Sequence, residues 1–283
     1  MADAAGIILA GGRSSRMGTP KAALEWHGST LLRRVTGLVQ RSVDGPVVVV
    51  SAPGQALPAL PGGVEVVEDA REGRGPLQGL AAGLAAVGDR GVAAYVSSTD
   101  VPLLHTRFIR RVLAAFDNDV DVVVPHARGF RHPLAAAYRV TLVDAVERLI
   151  AEDRMKPAFL FDECRVRWLD DGALLADPAL AALDPGLDSL LNLNEPADYE
   201  AARARPAPAV TVRRFGALSR IAPGGAEPAA IEAATLGKAA AAAGITLDEH
   251  VVAALNGDQI TRDPEVPLVA GDSVAFLAAD AGG

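Results

Sequence analysis

Five short, almost wholly apolar runs recur through the first half of the chain, at residues 5–10, 47–50, 64–67, 92–97 and 120–125. Stretches between them, such as 31–39 and 77–87, space their apolar residues as helices do. A run of four to six apolar residues without polar alternation reads as a strand covered on both faces. Alternation of strand with helix predicts parallel neighbours, because a parallel connection has to cross over the sheet. The expectation is an α/β, Rossmann-like domain with a mostly parallel sheet, its ligands held beyond the carboxyl ends of the strands.

Near residue 201 this pattern dissolves into ARARPAPA, an extended spacer that no helix accommodates, and a new strand-like run begins at Val210. We therefore expect a first domain over 1–201, a linker over 202–209 and a second domain over 210–283. The second reads as a small α+β module: a strand at 210–215, a turn at Pro223, Gly224 and Gly225, an alanine-rich helix at 235–243, and strands at 251–255 and 273–277. A chain of 283 residues, half of them apolar, has material for both cores.

The net charge of −8 speaks against nucleic acid or an anionic membrane as partner and leaves a small ligand as the expectation. One cysteine, Cys164, cannot form an intramolecular disulfide and reads as core rather than nucleophile, and no Cys/His cluster has zinc spacing. The run at 5–10 is too short for a signal peptide or membrane span, so a cytoplasmic location is expected.

The first strand runs into LAGGRSSRMGTPKAAL at 9–24. Glycines at 11, 12 and 18 let backbone N–H groups approach an anion without a Cβ in the way, and Arg13, Arg16 and Lys21 add charge. Only three lysines stand against 24 arginines, so a lysine inside this loop is a specific choice. The spacing satisfies neither G-x-G-x-x-G nor G-x-x-x-x-G-K-[ST], which excludes a dinucleotide fingerprint and a P-loop. Asp100, just past the fourth run and before Pro102, should project from the carboxyl end of the sheet, either as a Mg²⁺ ligand or as a helix N-cap. Asp69 ends the third run, where a base contact and a solvated strand end are both open readings. No Ser/His/Asp or Cys/His constellation is evident, and His27, His105, His126 and His250 read as surface or structural residues.

The 9–24 loop resembles the signature of NTP-dependent nucleotidyltransferases with a Rossmann-like fold, most closely the molybdenum cofactor guanylyltransferases. The resemblance continues in family order through GRGPLQGLAAGL (73–84), STDVPLL (98–104), HPLAAAYR (132–139) and NLNEPADY (192–199). It implies GTP and molybdopterin as substrates and Mg²⁺ as cofactor. Leu9, Ala10, Gly11, Gly12, Arg13, Lys21, Asp69, Gly75, Gly79 and Asp100 would then hold the nucleotide, with Arg16 and Lys21 on the phosphates that leave as pyrophosphate and Asp100 on the metal. His132, Asn192 and Asn194 would face the acceptor. The asparagines would serve the metal or the acceptor phosphate, with helix capping before Pro196 an open alternative for Asn194. Because an acceptor phosphate is already ionised near neutral pH, the implied reaction needs positioning and charge neutralisation rather than a general base. Transfer of a cytidylyl group, guanylyl transfer to another phosphorylated small acid, and sugar-1-phosphate nucleotidyl transfer are the rival enzymatic readings. A sulfur carrier with a non-catalytic nucleotide-binding domain is the non-enzymatic one.

In the second domain, VTVRRFGAL, VVAALNGDQI, PLVAGDSVAFL and the terminal DAGG resemble the β-grasp sulfur carriers, specifically the small subunit of molybdopterin synthase. This implies adenylation and thiocarboxylation at Gly283, at the end of a thin Gly282–Gly283 tail. It also implies two further partners, a carrier-activating enzyme and the large subunit of molybdopterin synthase.

Overall fold

The computed structural model describes residues 4–11, 20–69, 75–220, 225 and 227–278. The chain divides into two compact units, one of Met1–Leu24 with Leu31–Tyr199, the other of Glu25–Thr30 with Glu200–Gly283.

The first unit is built on an eight-stranded sheet. In spatial order it runs Val166–Leu169, Val122–Ala127, Ala135–Arg139, Ala93–Ser98, Ala4–Leu9, Val47–Ser51, Val64–Glu68, with the short Phe130–Arg131 strand paired to Val122–Ala127. Ala4–Leu9 lies parallel between Val47–Ser51 and Ala93–Ser98 and is buried along its whole length, as an unbroken apolar run should be. Successive residues of this strand serve opposite faces. The space a Cβ would take at Gly6 is filled by Val39 of helix Leu31–Gln40, 2.3 Å away, whereas Ile7 lies 2.5 Å from the corresponding point at Gly83 in helix Pro76–Val87. Gly83 thus lets that helix settle on the strand at a distance no side chain would allow. The same face carries Leu9, Val96, Val124 and Tyr138, closed over by Leu80, Leu84 and Leu149.

The sheet is mostly parallel, as expected, with Ala135–Arg139 inserted antiparallel between Ala93–Ser98 and Val122–Ala127. One feature departs from expectation. The 64–67 run, read as covered on both faces, forms the sheet's edge: Val66 is 50% exposed, and Glu65 faces solvent in an ion pair with Arg90. Charge on an edge strand discourages further strand pairing.

The second unit has a five-stranded sheet ordered Ala229–Glu232, Ala209–Arg214, Ser273–Ala278, Val251–Leu255, Gln259–Thr261. Its first and last long strands, Ala209–Arg214 and Ser273–Ala278, are parallel neighbours, and every other pairing is antiparallel. Helix Leu236–Ala242, capped by the Thr235 side chain, contributes Leu236, Ala239 and Ala240 to a core with Val212, Leu255 and Phe276. The ribbon of Glu25–Trp26 with Ser29–Thr30 belongs to this unit through Ser29 Oγ, which donates to Glu265 at 2.9 Å, and the Arg203–Glu25 ion pair. No helix among the described residues is long and apolar enough to cross a membrane.

Candidate active site

From Ala4–Leu9 the chain steps outward to Val47–Ser51 and Val64–Glu68, then returns to the other side of Ala4–Leu9 as Ala93–Ser98. Where the order reverses, the connecting loops part at the carboxyl ends of the strands and leave a crevice. A cavity of about 450 Å³ opens there, lined by Leu9, Ala10, Gly11, Pro20, Lys21, Val50, Ala52, Gln55, Asp69, Gly75, Pro76, Gly79, Ser98, Thr99, Asp100 and Leu134.

Its polar wall converges on Asp100. Lys21 Nζ donates to Asp100 Oδ2 at 2.8 Å; Ser98 Oγ, at 2.7 Å, and Asn192 Nδ2, at 3.0 Å, donate to Oδ1. The Lys21 and Asp100 side chains are only 20% and 15% exposed. The surrounding loops are tied by backbone: Leu193 N donates to Asp100 O at 2.9 Å, Thr99 Oγ1 to Leu9 O at 3.3 Å, and buried Arg34 Nε to Pro102 O at 2.6 Å. Asp100 is not a helix cap. Helix Thr106–Ala114 is capped by His105, whose ring accepts from Arg107 N. A carboxylate held by three side chains, one of them a lysine, suits phosphate and a hard divalent cation.

The opposite wall is quieter. Gln55 bridges Ala10 O and Ala52 N at 3.1 and 2.9 Å, and Asp69 sits at the strand end with its N–H on Ser51 O. Between the walls, Gly75 caps helix Pro76–Val87 with φ +97°, a conformation that favours glycine, and among the described residues no side chain caps that helix. The positive end of the helix therefore faces the cavity. Gly79 lies one turn into the helix. Leu9 Cδ2 stands 3.2 Å from where its Cβ would be, so this glycine also serves the approach of helix to strand.

The structure thus gathers Leu9, Ala10, Gly11, Lys21, Asp69, Gly75, Gly79 and Asp100 around one cavity, with Asn192 on Asp100. Gly12, Arg13, Arg16 and Gly283 lie outside the described residues. Two expected acceptor-side residues are placed elsewhere. His132 turns its ring onto Ala127 O at 3.0 Å, and partial burial holds its pKa below the ordinary 6.5. Asn194 donates its backbone N–H to Asp198, as Glu195 does, which makes Asp198 the group that satisfies this helix start. Ser98 and Gln55 were not foreseen. Ser98 lies two residues before Asp100 and could have been found from that proximity, whereas Gln55 carries no spacing signal. Burial pushes the Cys164 thiol up to about 11, so it stays protonated at neutral pH, in keeping with a structural role. Among the described residues no three His, Cys, Asp or Glu side chains converge as a metal cage. One aspartate with neighbouring oxygens nevertheless fits Mg²⁺, which commonly takes one or two carboxylates alongside substrate phosphates.

Comparison with known proteins matches residues 6–166 to the family described as MobA-like NTP transferase domain. A probable molybdenum cofactor guanylyltransferase of Mycobacterium bovis is 40% identical over 162 residues, covering 56% of this chain and 79% of its own length. The molybdenum cofactor guanylyltransferase of Desulfosudis oleivorans is 32% identical over 200 residues, covering 70% and 94%. Among solved structures, molybdopterin-guanine dinucleotide biosynthesis protein A from Archaeoglobus fulgidus superimposes with a TM-score of 0.55 at 21% identity, over 70% of this chain and 96% of that one.

Proposed function

The chain belongs to the MobA-like NTP transferase domain family, and from that membership we propose that it transfers GMP from GTP to the terminal phosphate of molybdopterin, releasing pyrophosphate. The observation that carries the reading is the Lys21–Asp100 pair at 2.8 Å, set against the Gly75-led start of helix Pro76–Val87 at one cavity. Relatives named as guanylyltransferases supply the base and the acceptor.

Lys21 exchanges its bond to Asp100 for the β and γ phosphates, and Arg16 assists it there. The resemblance would put Gly12 and Arg13 on the triphosphate as well; Gly11, whose N–H is held by Val50 O, lines the cavity wall, and Gly75 leaves the helix start open to it. Asp100, steadied by Ser98 and Asn192, would hold Mg²⁺, which supplies neutralisation of the charge developing on the transferred phosphoryl group. The acceptor phosphate attacks the α-phosphorus without a general base, and the bond to the β-phosphate breaks. Asp69 accepts from the N1–H and N2 amino group that guanine presents, and the Gln55 amide offers a donor to O6. Cytosine has no N–H at the matching ring position and would leave Asp69 less well matched. His132 acts from behind the acceptor side by holding the 127–132 turn. The reaction is expected in the cytoplasm.

The test is pyrophosphate release by the purified chain with molybdopterin and each NTP in turn. Release with GTP that falls away in Lys21→Ala supports the reading. Equal release with all four NTPs, or none with GTP, removes it.

A second reading concerns the C-terminal unit. A sheet whose first and last long strands are parallel neighbours, crossed by one helix, is the arrangement of β-grasp domains and favours a sulfur carrier over 210–283. Its activity would reside in Gly283, with a carrier-activating enzyme and the large subunit of molybdopterin synthase as partners. Incubation with ATP, such an enzyme and a sulfur donor should replace one carboxyl oxygen by sulfur, detectable by mass. A chain that never gains that mass would leave this unit a docking or structural module.

A further inference from the structure

The nucleotide cavity accounts for one substrate, and we infer that His126, Arg131 and Trp168 form the platform that receives the fused heteroaromatic ring of the other; the inference rests on the acceptor proposed above. Strand alternation puts the three on the face of the sheet that carries the cavity. Val122 and Val124 share a core with Leu9 and Val96, so His126, two residues further on, points the same way at the carboxyl end of its strand. Arg131 is the cross-strand partner of His126, and Trp168 is in register with Val124 on that strand's other side.

Their geometry is that of a recognition surface. The Arg131 guanidinium stands 4.8 Å over the Trp168 ring, His126 meets the same ring edgewise at 6.2 Å, and Phe161 supports it at 5.5 Å, while Trp168 remains 39% exposed. A tryptophan needed only to close the core would not be left open to this extent beneath a cation. A planar ring with carbonyl and ring-nitrogen acceptors stacks on such a surface, and Arg131 and His126 supply donors to its edge. Reach agrees as well. Two strand steps separate the Ala93–Ser98 strand from the His126 strand and a third reaches the Trp168 strand, roughly 10 to 14 Å at the usual spacing. That is the order of length between the phosphate and the ring of an acceptor whose phosphate lies at Asp100.

Two readouts test the platform. Trp168→Ala and Arg131→Ala should raise KM for molybdopterin by roughly 10- to 100-fold, the range for losing one base-like stacking contact, with KM for GTP within about twofold and Trp168→Phe restoring most of the loss. The chain holds two tryptophans, and Trp26 is 2% exposed, so quenching of intrinsic emission by free 6-hydroxymethylpterin should be present in the wild type and lost in Trp168→Phe. Unchanged molybdopterin KM in folded Arg131→Ala, or quenching that survives in Trp168→Phe, overturns the inference. If the wild type guanylylates molybdopterin and these variants do so equally well, only the platform falls. If the wild type yields no guanylylated molybdopterin, the proposed function falls, and the quenching experiment still decides whether Trp168 receives a pterin.

Discussion

Two aspartates, a half-buried one in the first unit and a buried one in the second, show how differently the same side chain is used. Asp100 accepts from Lys21, Ser98 and Asn192, side chains brought from three separate segments to the rim of a cavity. Asp272, 4% exposed, accepts from Val269 N and from Asn256 Nδ2, whose own amide oxygen takes Ser273 N. Asn256 itself has φ +55°, so this second network holds a strained turn against the start of strand Ser273–Ala278. A carboxylate bound to backbone closes a fold. One held only by side chains at a cavity is arranged for a ligand.

The contrast is sharpest in loss of activity. Asp100→Asn should lower kcat by on the order of 10³ or more while leaving the melting temperature nearly unchanged, because an amide is a poor replacement toward a metal-bound phosphate and few fold-closing bonds are lost. Steady-state kinetics beside calorimetry checks both halves, and an active or a destabilised variant would erase the distinction. Lys21→Ala should follow with a fall of roughly 10²–10³ in kcat/KM for GTP, the usual consequence of deleting one transition-state charge contact.

Asp272→Ala should behave in the opposite sense. It strands Val269 N and Asn256 inside the turn, at a cost of about 1–3 kcal/mol to the second unit, with guanylyl transfer unchanged. Denaturant unfolding followed alongside pyrophosphate release tests it, and a transfer defect would show that the units are coupled in function. The smallest effect belongs to His132. Its pKa is lowered chiefly by burial, so the unfolded chain takes up the proton first as pH falls. The stability this neutral ring contributes is present above pH 6.5 and declines as pH drops through the lower folded value. His132→Gln should flatten part of the fall in melting temperature below that pH; an unaltered profile would remove His132 from the acid response.

Much of this was legible in the sequence because buried parallel strands write themselves as unbroken apolar runs. The 47–50 run appears as Val47–Ser51 and the 92–97 run as Ala93–Ser98, and the loops after the first and fourth runs meet as Lys21 and Asp100. Apolar content alone did not reveal neighbours. VEVVE at 64–68 has the valines of a central strand yet lies at the edge, and nothing local marked Ala135–Arg139 as antiparallel. Helical spacing over 77–87 did not say why Gly79 and Gly83 stand there; their meaning is the distance from helix to strand. Ser98 stood inside the STDVPLL stretch without a role assigned to it, and Gln55 carried no signal, because its role arises from how the loops fold back.

Product analysis tests the central claim most directly. The wild-type chain, given molybdopterin, Mg²⁺ and equimolar GTP and CTP, should form molybdopterin guanine dinucleotide and one pyrophosphate per product, with the cytosine adduct at most a minor species and neither product from Asp100→Asn. A predominant cytosine adduct would contradict the assignment of the base, and consumption of GTP without any molybdopterin adduct would contradict the assignment of the reaction.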